Sequence, residues 1–175
     1  MQRPMSISRR QTIPPRVPIK ESAGIHFSAT EFASILVSMI TMLLAFYMFQ
    51  VNDSGIIIGV VVGIIGHEIG HKLVAQSMGF ESTYKLWSIG LVLVIAFAII
   101  TRGRFVFAAP GFVHTEGNAS VRDEGIISLS APVTNILIAI FFFAIGGPIA
   151  FSAAYVNILL AAFNLLPMGP LDGSK

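Results

Sequence analysis

The sequence predicts an α-helical polytopic membrane protein. It carries about four to five transmembrane helices, with a re-entrant or membrane-associated β-like segment after the second. Three observations carry this expectation. Of 175 residues, 54% are hydrophobic and only 11% are charged, whereas soluble domains carry about 25% charged residues. The apolar residues gather into runs approaching the roughly 20 helical residues that cross a bilayer core of about 30 Å. The basic residues Arg3, Arg9, Arg10, Arg16 and Lys20 precede the first run, with Glu21 the only acid among them. That bias places the N-terminus on the cytoplasmic side of a multi-pass cell-membrane protein. Net charge is +2, and no nucleic-acid partner is expected. The absence of cysteine excludes disulfides and thiolate ligands.

In chain order, residues 1–27 form a basic, proline-containing tail, and 28–175 form the membrane-embedded core. The first span is expected at about 30–50, and Asn52-Asp53-Ser54-Gly55 reads as a turn. The second span, 55–77, opens on twelve uncharged residues, which is too short to cross. The helix must therefore continue through His67-Glu68-Ile69-Gly70-His71. At 1.5 Å per residue, His67 and His71 lie roughly 18–24 Å from Gly55, about 6–12 Å inside the far face. Residues 86–101 are apolar but short, and Arg102-Gly103-Arg104 ends them. The β-prone stretch Phe105–Val113 follows, interrupted by Pro110-Gly111, so 85–114 is expected to be a re-entrant helix and strand region. His114–Glu124 reads as a polar loop. Two more spans are expected at 126–145 and 148–168. His26 and His114 read as surface or interface residues, Arg102 and Arg104 as interfacial anchors, and Trp87 and Tyr84 as an interfacial aromatic pair.

The chemistry lies in HExxH. Imidazoles four residues apart share one helix face, a spacing that suits two ligands of one Zn²⁺. Glu68 between them can reach a water activated by the metal and act as general base. Ionisable groups at this depth are costly and mark function. A catalytic zinc usually has three protein ligands. Asp53 is excluded because it lies some 20 Å from His67 by helical rise, and Glu81 would need a sharp reversal of the chain. Asp123 and Glu124 sit in the polar loop. Asp172 stands out, because Pro167 and Pro170 break the helix before it and free backbone groups. Such backbone is tolerated at membrane depth only where protein or water surrounds it.

This pairing resembles the site-2 protease family of intramembrane zinc metalloproteases, in its archaeal or bacterial form. The matching residues are His67, Glu68 and His71, then Asn164, Pro167, Pro170, Asp172 and Gly173. Ala131-Pro132-Val133-Thr134-Asn135 resembles the family's Gly-Pro-x-x-Asn, with alanine replacing the glycine. The resemblance covers about residues 30 to 175. It implies a zinc ion held by His67, His71 and Asp172, Glu68 as catalytic base, and a membrane-spanning protein as substrate. It also implies that the chain is a piece of a longer protein, because family members continue into a helix beyond the Asp-Gly motif. For Asn135 and Asn164 two roles stay open. They could bind substrate backbone or the tetrahedral oxyanion, or fix helix packing by interhelical hydrogen bonds. The resemblance further implies a membrane-associated β element, and Phe105–Val113 is expected to offer its edge to an unwound substrate segment.

The crossings add a constraint. His71 and Asp172 must share one depth, and spans 126–145 and 148–168 already go out and back. Residues 80–120 therefore make no net crossing. Either 86–101 crosses and 105–113 returns extended, or the two form an inserted hairpin around Arg102-Gly103-Arg104. If the N-terminus is cytoplasmic, the site lies near the cytoplasmic face. The rival class is a non-proteolytic membrane metal-binder or transporter, but transporters tend to carry repeats and paired broken helices, and neither appears here. A zinc protease of lipidated C-termini would not require the Asn/Pro/Asp-Gly motif.

Overall fold

A computed structural model of the chain describes residues 26–48, 53–104 and 106–175. Most of the expected basic tail, part of the 52–55 turn and Phe105 lie outside the described residues. Five α-helices, one short antiparallel sheet and a closing 3₁₀ turn make up the described fold. Three helices are long and apolar enough to cross a membrane: α1 (Ala29–Tyr47), α2 (Ser54–Ser77) and α4 (Val121–Ile145). The helices α3 (Ser88–Ile100) and α5 (Pro148–Asn164) are apolar but shorter. Large apolar side chains such as Phe32, Ile40, Leu137, Ile140 and Phe141 are exposed on the outer faces of α1 and α4. An apolar surface of this extent calls for an apolar surrounding.

The three long helices start where a side chain can satisfy free N–H groups. Ser28 with Glu31 and Ser120 with Asp123 form capping boxes on α1 and α4. Asp53 caps α2 by accepting from Gly55 N–H at 2.7 Å, so the expected turn is a helix cap. The second box moves the start of α4 to Val121, and the expected polar loop 114–124 is shortened at both ends. α5 stops at Asn164 because Pro167 and Pro170 lack the N–H groups that would continue it.

The helices α2, α4 and α5 form a tight block, with α1 against α2 and α3 against α1. Small residues set the spacing. A Cβ at Gly59 would lie 2.9 Å from the Ala153 backbone, and one at Gly63 would lie 2.6 Å from Leu160. On the α4 side, a Cβ at Gly70 would meet Thr134 Oγ1 at 2.5 Å and Ala131 Cα at 3.2 Å. The space that a glycine at position 131 would leave is thus provided by Gly70 on the facing helix.

Between α2 and α4, strand β1 (Glu81–Leu86) pairs antiparallel with β2 (Gly111–Glu116), Tyr84 facing Val113. The β element lies later than expected. Residues 106–109 have no ladder partner and are buried beside α3, where Phe107 stacks on Phe97 with ring centroids 5.9 Å apart. Strand β1 itself was not expected from the sequence. Trp87 N–H donates to Pro110 O at 3.1 Å, which fixes the alternation of the ladder. Gly111, Val113 and Thr115 then turn their peptide groups away from β1, as Ser82 and Tyr84 turn theirs away from β2.

Candidate metal centre

HExxH lies in the second half of α2, and all three of its polar side chains are buried. Asp172 reaches them from a 3₁₀ turn, Asp172–Ser174. The segment after α5 folds back so closely that a Cβ at Gly173 would overlap the Leu165 backbone. This explains the glycine after Asp172, since the carboxylate reaches α2 only while that approach stays open. Leu171 is completely buried beside it.

His67 Nε2 and His71 Nε2 lie 3.2 and 3.3 Å from Asp172 Oδ2. The two imidazoles stand nearly perpendicular, with centroids 4.9 Å apart. One ligand atom from each residue falls within 4.8 Å of the others, so the three could hold a metal ion. Zinc bonds of about 2.0–2.1 Å in a tetrahedron set neighbouring ligand atoms roughly 3.3 Å apart, close to the two nitrogen–carboxylate separations here. His71 Nε2 and Asp172 Oδ2 are buried without a hydrogen-bond partner. Leaving such atoms unpaired is expensive, and a cation between them removes the cost. His71 Nδ1–H donates to Ile127 O at 2.9 Å, which leaves the Nε2 lone pair facing the carboxylate. His67 Nδ1 shares a 2.7 Å hydrogen bond with Asn135 Oδ1. Outer partners of this kind orient metal-ligating histidines.

A cavity opens beside the cluster, lined by Ile64, His67, Glu68, Tyr84, Pro110, Gly111, Leu160 and Asn164. Glu68 therefore shares one small space with His67, a strand edge and Asn164. Of the two asparagines, only Asn164 lines this cavity, and its Nδ2 donates to Leu160 O at 2.9 Å. Asn135 is fully buried, with Nδ2 donating to Gly63 O at 2.9 Å and Asn157 Oδ1 at 3.0 Å.

Several contributors escape a sequence reading. Tyr84 was expected at an interface. It is buried instead, lies over Gly111 so closely that a Cβ there would overlap its phenol, and shares a 2.6 Å hydrogen bond with Ser38 Oγ. Lys72, next to His71, is buried in a 2.9 Å ion pair with Glu31 of α1. The pair covers the outer edge of β1. Lys72 Nζ donates to Ser82 O at 2.8 Å, and Glu31 Oε1 accepts from Tyr84 N–H at 2.9 Å. Lys72 also lies 4.7 Å above the Phe27 ring. The signal available in sequence was an acid and a base in otherwise apolar runs. On the other side of the sheet, Lys175 Nζ donates to the outward Val113 O.

No family model, curated protein or solved structure matches the chain.

Proposed function

We propose that this chain is an intramembrane zinc metalloprotease that hydrolyses peptide bonds of membrane-spanning substrates. One observation carries the reading: two imidazoles and a carboxylate from distant segments converge on orphaned, buried ligand atoms, with the HExxH glutamate on the adjoining cavity. The resemblance of HExxH and the Asn/Pro/Asp-Gly motif to site-2 proteases gives the same reaction class. His67, His71 and Asp172 would hold the ion, and the mixed nitrogen and oxygen donor set suits zinc. Bound there, zinc supplies Lewis acidity for a carbonyl and lowers the pKa of water toward 7.

The remaining steps belong to the chain. Glu68 takes the proton from the attacking water and delivers it to the leaving amine, a transfer worth about 10²–10⁴ in rate. Asn164 offers its amide to the substrate backbone at the cavity wall. A helical substrate must unwind before attack, because its carbonyls are held in i to i−4 bonds. The β2 edge offers an alternative set of partners. The Glu31–Lys72 pair covers β1, so Gly111, Val113 and Thr115 form the available edge, and Gly111 adjoins Glu68 in the cavity wall. An incoming strand displaces Lys175 from Val113 O.

We read α1, α2, α4 and α5 as crossings. α3 with 106–110 forms a hairpin that enters and returns, and the metal centre lies several ångströms below the cytoplasmic face. The test is Glu68→Gln, which is expected to bind zinc like the wild type and to lose at least about 100-fold in cleavage of a membrane-spanning test peptide. Cleavage at the wild-type rate would refute the assignment.

A further inference from the structure

Asn157 is fully buried in α5, outside every motif that points to the site. Its Nδ2 donates to Ala153 O at 2.9 Å on its own helix and to Gly59 O at 3.3 Å on α2. Backbone carbonyls only accept, so both amide hydrogens are committed and the amide cannot reverse. Its Oδ1 must then face Asn135, where it accepts from Nδ2 at 3.0 Å. Gly63 leaves the room this needs, since a Cβ there would come within 2.9 Å of Asn157 Oδ1. The second hydrogen of Asn135 Nδ2 goes to Gly63 O at 2.9 Å. With both Asn135 donors occupied, its Oδ1 faces His67 Nδ1 at 2.7 Å and can only accept.

We infer that Asn157 is a positioning residue for the metal centre. Through Asn135 it holds His67 in the Nδ1–H tautomer, with the Nε2 lone pair aimed at His71 and Asp172. Three carbonyls on two helices set the polarity, the two amides transmit it, and the imidazole receives it. His71 reaches the same tautomer by a separate route, through Ile127 O, and so serves as an internal control. The inference rests on the metal-centre reading for its purpose but not for its geometry.

Nitrogen-15 NMR of the metal-free full chain, histidine-labelled and in detergent micelles, reads both tautomers, and zinc titration follows on the same samples. In the wild type both His67 and His71 are expected as Nδ1–H. In Asn157→Leu, or in the smaller Asn157→Ala, His67 becomes a mixture with the Nε2–H form while His71 is unchanged. Zinc affinity falls about 10-fold, the lower end of what outer-shell losses cost. A wild-type His67 in the Nε2–H form overturns the inference. So does a folded Asn157 variant whose His67 tautomer is unchanged and whose zinc affinity is within about twofold of wild type. Nδ1–H tautomers in a wild type that takes up no zinc would support the relay and overturn the metal reading, so the two failures are distinguishable.

Discussion

At the residue scale, His67, Glu68 and His71 were legible because their relation is local: four residues on a helix fix which side chains meet. Asp172 was legible for a different reason. Two prolines in a chain that otherwise reads as a span announce broken backbone that must be put to use. The partners that aim the imidazoles were only partly legible: Asn135 stood out as a candidate with its role open, whereas Asn157 and the Ile127 carbonyl reach α2 and its histidines only through helix crossings. Nor was Tyr84, whose burial depends on the sheet laying it across Gly111 and against Ser38. The site predicts that Asp172→Ala keeps both histidines in place yet loses at least about 10-fold in zinc affinity, because a direct ligand should cost no less than an outer partner. Competition with a chromogenic chelator measures it, and an unchanged dissociation constant would remove Asp172 from the ligand set.

At the element scale, the outer edge of β1 is covered by Glu31 and Lys72, while on the outer edge of β2 Lys175 donates to Val113 O. The sequence placed the β element at 105–113, where the apolar residues are. Residues 106–109 instead spend that apolarity on α3, and the ladder forms over the more polar Gly111–Glu116. β1 was missed because Glu81–Leu86 mixes charge and hydroxyls with only two apolar-leaning positions, Tyr84 and Leu86. Its outer edge is completed by Glu31 and Lys72, far apart in sequence. Removing one partner of such a buried pair costs about 3–5 kcal/mol, because the other charge is stranded. Glu31→Gln and Lys72→Met should therefore each lower unfolding stability in detergent by about that amount, and the double variant by less than the sum. Additive losses would mean that the two do not act as a pair. Because Val113 and Thr115 turn their N–H groups outward, Val113→Pro and Thr115→Pro leave the ladder bonds to β1 in place. Each should slow cleavage about 10-fold or more with zinc binding intact, whereas His114→Pro, whose N–H faces β1, should also destabilise the sheet. Unimpaired cleavage by the outward prolines would exclude strand addition at β2.

At the scale of the whole molecule, composition alone gave a helical membrane protein, and α1, α2 and α4 are long and apolar enough to cross. The exact number of crossings was less legible. Length decides it, and α3 and α5 fall short of a full bilayer as helices. The convergence of α2, α4, α5 and the Asp172 turn makes one buried centre from residues about 100 positions apart. We propose that this centre holds a catalytic zinc. The most direct test strips the purified full chain with chelator, returns zinc in measured steps, and follows cleavage of a membrane-spanning test helix. Cleavage should be lost on stripping and should rise in proportion to zinc up to one ion per chain. Cleavage that survives complete stripping, or a chain that takes up one zinc and never cleaves, would contradict it.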